Sequence, residues 1–221
     1  MYKNYTNNKK NYTILKKESK MKKLLAFTLS EVLIALVIIG VVAAITTPIL
    51  FANSNEQAVK SALRKDFSVL SQALKKYYMD NGEHFYTYDG NEIHKFFTTY
   101  FIVAKDCFIG QCTDESIKYK NYGNKESTWM KYPEKQSLIL HDGTYITYNW
   151  NENGAPIFTV DVNGPYKKPN KLGVDTFAFS IKEQYNLAPY FDSPLDEYYC
   201  NPKRTTFGNG LGCTAKVLKY K

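Results

Sequence analysis

The chain has 221 residues, enough for one ordinary domain together with a membrane anchor, and a formal net charge of +8. Eight of its 29 basic residues and one of its 21 acidic residues lie in residues 1–26, so the remainder carries a net charge of +1. This distribution argues against a nucleic-acid-binding domain, which concentrates basic residues on its folded part. The tightest basic group in that part is Lys167, Lys168 and Lys171.

The first twenty residues are rich in Asn, Tyr and Lys and have no helical periodicity, which predicts disorder. Met21 offers a second start, and we prefer it, so residues 1–20 are interpreted as an untranslated extension. Residues 1–26 are interpreted as a leader. By the positive-inside rule, its lysines predict that this end lies in the cytoplasm and that the residues after the membrane segment lie on the other side of the membrane.

An apolar segment follows from Phe27 to Phe51. As a helix it would be about 37 Å long, enough to cross the ~30 Å hydrocarbon core of a bilayer. A signal peptide has its small-residue cleavage site after the apolar segment, whereas Ala26 lies before it. Pro48 lacks a backbone donor and predicts a kink in this helix.

The helical pattern continues over residues 52–82 in amphipathic form, with Lys60, Arg64, Lys65 and Asp66 assigned to the polar face. The apolar residues recur at steps of three and four: Val59, Ala62, Leu63, Phe67, Leu70, Ala73, Leu74 and Tyr77. Asp80-Asn81-Gly82 gives the stop signal. The two segments together predict one helix over about residues 28–80.

Residues 83–221 are predicted to form a globular head of loops and short strands, because Gly, Asn, Asp and Pro interrupt short apolar runs. The predicted strands are residues 137–140, 144–150, 156–162 and 176–181, with an Asp-Gly turn at Asp142-Gly143. Residues 185–221 are predicted to be irregular. The fold class is therefore α+β, a long N-terminal helix packed on a small antiparallel sheet.

The most informative residue is Glu31, at the edge of the uncharged run Val32 to Ile45. A carboxylate costs about 2.5–3.5 kcal/mol near the centre of a bilayer, so we expect it to have a function. It follows two lysines, a small residue and Phe27-Thr28-Leu29-Ser30. This string resembles the class III signal of type IV pilins and type II secretion pseudopilins, usually Gly-Phe-Thr-Leu-x-Glu. Ala26 replaces the Gly, which we expect to slow cleavage without abolishing it.

The resemblance implies a pilin-like fold and a role for each matching position. Prepilin peptidase would cleave between Ala26 and Phe27 on the cytoplasmic side, and Phe27 would be N-methylated. Glu31 would pair with the amine of a neighbouring subunit, so that two charges costly in lipid offset each other. Pro48 lies where pilins carry a helix-kinking proline. The implied partners are the peptidase, other pilins or pseudopilins, and an assembly platform in the inner membrane.

A weaker resemblance to pseudopilin-like proteins lies in residues 161–179. Its strings are Asp161-Val162-Asn163-Gly164, Pro169-Asn170, Gly173, Asp175 and Phe177-Ala178-Phe179. These residues suit the turns of a loop between strands. The alternative is a calcium site with oxygen ligands from Asp161, Asn163 and Asp175.

Cys107, Cys112, Cys200 and Cys213 all follow the membrane segment and are expected outside the cytoplasm. An even number of cysteines in an oxidising compartment predicts disulfides. Four cysteines allow three connectivities, and local closure favours Cys107–Cys112 and Cys200–Cys213. Zinc is the competing interpretation, but no Cys-x-x-Cys pair is present.

The sequence is compatible with three distinct functions. The first is a structural subunit of a type II secretion pseudopilus, anchored by a single pass in the inner membrane before assembly. The second is a type IV or competence pilin for adhesion, motility or DNA uptake. The third is a membrane-anchored periplasmic binding protein or enzyme. The sequence contains no recognisable catalytic motif, so we expect no enzymatic activity.

Overall fold

The computed structural model describes residues 27–83, 85, 89–107, 112–114, 116–131, 136–150, 156–182, 186–191 and 195–219. The leader predicted over residues 1–26, including Ala26, lies outside the described residues. The chain divides into two units, Met1–Pro48 and Ile49–Lys221, and each is described by itself.

The described part of the first unit is the beginning of helix α1, Leu29–Asn81, whose bounds confirm the predicted helix to within a residue. Its segment Leu29–Pro48 is long and apolar enough to cross a membrane, and none of it is buried. Pro48 lies inside α1. The predicted kink at this proline stays a prediction.

In the second unit, α1 packs its apolar stripe against a sheet, as the periodicity predicts. Leu63, Leu70 and Leu74 are fully buried, and the ring of Phe67 lies 5.7 Å from that of Phe179. The other members of the stripe are buried or partly buried in the same core: Val59, Ala62, Ala73 and Tyr77. The assignment of Asp66 to the exposed polar face was wrong, because this residue is only 5% exposed.

The sheet has six antiparallel strands in the order β1-β4-β5-β6-β7-β8. These strands are β1 Val103–Cys107, β4 Gln136–Leu140, β5 Tyr145–Trp150, β6 Pro156–Asp161, β7 Thr176–Ile181 and β8 Leu187–Pro189. The four predicted strands are confirmed as β4 to β7, and their ends differ from the prediction by at most one residue. A separate hairpin joins β2 Tyr119–Lys120 and β3 Glu126–Ser127, followed by a 3-10 helix, Trp129–Lys131.

The two edges of the six-stranded sheet are irregular or short. Strand β1 pairs with β4 through a register that shifts between Val103 and Lys105. The middle residues of β1, which include Lys105 and Asp106, are exposed. At the opposite edge, β8 has three residues and ends at Pro189.

Helix α2, Gly90–Tyr100, was not predicted and corrects the expectation of only loops and strands after Glu83. The side chain of Asp89 accepts a hydrogen bond from the Asn91 N–H at 2.8 Å and caps the helix. Buried Phe97 packs its ring 5.6 Å from that of Tyr148 and 5.3 Å from that of Phe158. Helix α2 therefore completes the core above strands β5 and β6.

Most of the C-terminal tail covers the other face of the sheet, whereas Val217 and Leu218 at its end pack against the core on the α1 face. The tail is less irregular than predicted. It contains β8 and the short helices α3 Leu195–Tyr198 and α4 Cys213–Leu218. Leu211 of the tail is buried with Tyr145 and Ala178 of the sheet, and Tyr119 of the β2–β3 hairpin joins the same cluster. The sheet is thus enclosed between α1 and α2 on one face and the hairpin and tail on the other.

Candidate functional site

Glu31 is part of a capping box at the beginning of α1. Its Oε2 accepts hydrogen bonds from the N–H and the hydroxyl of Thr28, both at 2.8 Å. The Glu31 N–H donates in return to Thr28 Oγ1 at 3.3 Å. This reciprocal pair satisfies donors that a helix start leaves unpaired, and it places a carboxylate at the positive end of the helix dipole.

The capping box fixes where the carboxylate lies. Oε2 is hydrogen-bonded to the N–H of Thr28, the residue that directly follows Phe27. The side chain of Phe27 is itself 82% exposed. A chain that began at Phe27 would therefore carry its terminal ammonium one residue from this carboxylate. The roles of Ala26 and Phe27 in cleavage, of Phe27 in methylation and of Glu31 in assembly stay predictions.

The loop of residues 161–175 is organised by two buried carboxylates. Asp161 Oδ1 accepts from the N–H of Asn163 at 3.4 Å and of Gly164 at 3.1 Å, and Oδ2 accepts from the Tyr119 hydroxyl at 2.7 Å. Burial and the charge of Asp175 raise the pKa of Asp161 to about 7, although these hydrogen bonds oppose the shift. Burial also raises the pKa of Tyr119, so its phenol stays protonated and donates.

Asp175 holds the second half of the same loop. Its Oδ2 accepts from the Asn170 N–H at 2.8 Å, and Oδ1 accepts from the Lys171 N–H at 2.7 Å and from the Thr176 hydroxyl at 3.2 Å. Burial raises the pKa of Asp175, and the backbone hydrogen bonds oppose that shift. All four carboxylate oxygens of the two aspartates therefore accept hydrogen bonds within the protein.

This geometry favours the turn interpretation of the loop over the calcium interpretation. Asn163 Oδ1 is buried and has no hydrogen-bond partner among the described residues, so it is the one proposed ligand atom not already engaged. In the part of the chain that the structure describes, no three His, Cys, Asp or Glu side chains form a potential metal-binding group. The calcium site at Asp161, Asn163 and Asp175 stays a prediction.

The four cysteines form the two local disulfides that the sequence favours. Cys107 pairs with Cys112 across a Cα–Cα distance of 5.3 Å, and Cys200 pairs with Cys213 across 4.8 Å. No thiolate is left for zinc. The second disulfide connects the end of α3 to the beginning of α4, so it fixes the segment between them on the head.

An ion-pair cluster between α1 and the β4–β5 turn was not predicted. Lys65 Nζ lies 3.2 Å from Asp66 Oδ1 and also forms an ion pair with Asp142. Burial raises the pKa of Asp66 to about 6, against the attraction of Lys65. Burial also acts to raise the pKa of Asp142, but hydrogen bonds from Lys65 and Thr144 lower it overall. The burial of such an acid in an amphipathic helix can be suspected from the sequence only by its position beside the apolar stripe.

Comparison with known proteins identifies the N-terminal segment. A family model described as the prokaryotic N-terminal methylation motif matches residues 21–47. The match covers Met21, the residues on both sides of the expected cleavage site, Glu31 and most of the exposed apolar helix. No curated protein and no solved structure matches the chain.

Proposed function

Because the chain carries the processing motif and apolar N-terminal helix of a prepilin-type pilin or pseudopilin, we propose that it is a structural subunit of a type II secretion pseudopilus or a related type IV filament. Prepilin peptidase cleaves it between Ala26 and Phe27, and Phe27 is N-methylated. The mature chain waits in the inner membrane and then joins other pilins through an assembly platform. Its role is mechanical, as the substrate of an enzyme and not as an enzyme.

The apolar segment Leu29–Pro48 supports this proposal most directly, because it is long enough to span a membrane and none of it is buried. Transfer of one Val, Leu or Ile side chain from water to an apolar environment contributes about 1.5–3 kcal/mol. In the membrane, lipid covers this segment, and in a filament the same segments of neighbouring subunits cover one another. A head-to-tail contact of this kind does not close, which allows the fibre to grow.

The capping box gives Glu31 two successive partners. In a single subunit the N–H and hydroxyl of Thr28 satisfy Oε2. During assembly the ammonium of a neighbouring Phe27 approaches the same carboxylate, and each charge reduces the cost of the other in an apolar surrounding. The negative charge of Glu31 therefore serves assembly, whereas the acceptor atom Oε2 caps the beginning of the helix.

The isosteric substitution Glu31→Gln separates these two uses. Glutamine keeps an acceptor for Thr28 but removes the charge, so we expect normal insertion and normal processing but strongly reduced incorporation into sheared fibres. Ser30→Ala is the matched control, because it removes an adjacent hydroxyl that lies 3.1 Å from Thr28 Oγ1 but keeps the charge of Glu31. Mass spectrometry of the wild-type chain should find an N-methylated Phe27 at its N-terminus. A mature chain that begins at Met1 or Met21, or full incorporation of Glu31→Gln, would refute the proposal.

We propose that the filament serves protein secretion. The alternative is a type IV or competence pilin that serves adhesion, motility or DNA uptake. A deletion strain distinguishes them. Loss of exported proteins supports the pseudopilus, whereas intact secretion with loss of surface attachment, movement or transformation supports the alternative.

A further inference from the structure

Three segments that are distant in sequence lie side by side on the tail face of the head. Lys120 forms a parallel bridge with Lys171, in which the Lys120 N–H donates to the Asn170 carbonyl at 2.9 Å. The Tyr122 N–H donates to the Asn209 carbonyl at 2.9 Å, and a Cβ on Gly123 would lie 1.9 Å from the Arg204 carbonyl oxygen. The segments 119–125, 170–172 and 201–209 therefore form one continuous patch.

The patch brings two like charges together. Lys120 and Lys171 are backbone bridge partners, so the charge of each acts on the other. Lys171 Nζ donates to Asn124 Oδ1 at 2.7 Å and lies 5.4 Å from the centre of the Tyr122 ring. Burial, and then the charge of Lys120, lower the pKa of Lys171. An anion between the two ammonium groups would relieve this repulsion.

The patch is more basic than the head as a whole. Lys125, Lys203 and Arg204 are exposed beside Lys120 and Lys171. The adjacent acids are Glu126, which lies 3.0 Å from Lys118, and Asp196 and Glu197, which precede Tyr198 in the sequence. A head whose net charge is close to neutral thus carries a local excess of cations.

A row of aromatic rings continues from these cations. Neighbouring ring centres are 4.2–6.3 Å apart, and the row consists of Phe207, Trp129, Tyr190, Phe191, Tyr199 and Tyr198. Its two ends are the most exposed, with Phe207 at 56% and Tyr198 at 42%. The guanidinium of Arg204 stacks 4.0 Å over Tyr198 and joins the row to the cations. We call the cations and this row together the basic–aromatic surface.

We propose that the basic–aromatic surface binds single-stranded nucleic acid, with its cations on the phosphates and its exposed rings stacked on the bases. Cations beside exposed rings are the combination that single-stranded nucleic acids require. An anionic lipid headgroup would contact the cations but offers no planar base on which the exposed rings could stack. This inference goes beyond the proposed structural role, would serve its DNA-uptake alternative, and does not depend on filament assembly.

The test uses the full chain in phosphatidylcholine nanodiscs, which carry no anionic lipid, and a fluorescein-labelled oligothymidylate of about 20 nucleotides, longer than the ~4–16 that one small domain covers. Fluorescence anisotropy gives the affinity as a function of salt concentration. Lys120→Gln with Lys171→Gln should make the negative slope of log K against log salt shallower by about 1.4, since each phosphate contact contributes about −0.7 to it. Phe207→Leu keeps an apolar side chain without a ring and should weaken binding by about fivefold or more.

The matched control is Lys75→Gln with Lys95→Gln, which removes two exposed charges from α1 and α2 and should leave binding unchanged. An abasic strand of equal length and a duplex should both bind more weakly than oligothymidylate. Three results would overturn the proposal: no binding of oligothymidylate, equal binding of the abasic strand, or an equal loss of affinity in the control variant. None of them would affect the filament proposal, which the N-terminus and the fibre assay test separately.

Discussion

The buried carboxyl of Asp66 makes a quantitative prediction about stability. Its side chain is 5% exposed, and its pKa is raised from 3.8 to about 6. Because the folded protein binds this proton more tightly than the unfolded chain does, the free energy of unfolding falls as the pH rises from about 4 to about 6. At 1.36 kcal/mol per pH unit, this pKa shift lowers the unfolding free energy by about 3 kcal/mol. The decrease is complete above pH ~6.

Asp66→Asn removes this titration. The difference in unfolding free energy between the variant and the wild type should therefore change by about 3 kcal/mol in favour of the variant between pH ~4 and pH ~7.5. The assay is urea unfolding of the full chain in nanodiscs, followed by tryptophan fluorescence at several pH values. Comparing the variant with the wild type cancels the titration of other buried acids such as Asp161.

Asp142→Asn is the control with the opposite sign. The pKa of Asp142 is lowered, so its contribution is present at neutral pH and is lost as the pH falls through its folded pKa. The wild type should lose its advantage over this variant on acidification. Equal pH dependence of wild type and Asp66→Asn would refute the reasoning, and so would a shift of the same sign in both variants.

The remaining predictions concern the two disulfides and two glycines with positive φ. Replacing both Cys200 and Cys213 by serine should lower the unfolding free energy by about 3 kcal/mol. Replacing both Cys107 and Cys112 should lower it by about 2 kcal/mol, because the Cys107–Cys112 disulfide joins residues 5 apart whereas Cys200–Cys213 joins residues 13 apart. The reverse order in urea unfolding would contradict this. Gly173→Ala should cost about 2–4 kcal/mol, since φ is +79° and the new Cβ would lie 2.6 Å from Cys213 Sγ. Gly82→Ala, with φ +72° and open space, should cost about 1 kcal/mol, and equal thermal shifts would exclude the steric argument.

The parts of the fold that the sequence predicts are those with local causes. The stripe from Val59 to Tyr77 repeats at helical spacing, and β7 is a short apolar run between turn residues, so each can be recognised within its own window. Helix α2 had such a signal, since Asp89 caps it and Ile93, Phe96 and Phe97 follow helical spacing. The surrounding Gly, Asn and aromatic residues favoured a loop interpretation instead.

The parts that could not be predicted depend on contacts between distant residues. Asp66 was assigned by its residue type to the polar face, and only the position of the β4–β5 turn shows that it is buried beside Lys65. The basic–aromatic surface brings Lys120, Lys171 and Arg204 together from segments more than thirty residues apart. The net charge of a sequence does not show which of its charged residues lie close together in the fold. The motif around Glu31 is the opposite case, because a peptidase would recognise it as a linear sequence.

The irregular edges of the sheet have a consequence for a chain that is proposed to polymerise. Subunits held in a fibre meet at very high local concentration, where two exposed strand edges could add to each other and form amyloid-like aggregates. The shifted register and the charged pair Lys105 and Asp106 make β1 a poor template for another strand. At the other edge, β8 offers three residues and Pro189, which has no N–H to donate. The head is therefore protected against association through its sheet edges, which leaves the helices as the route of the proposed assembly.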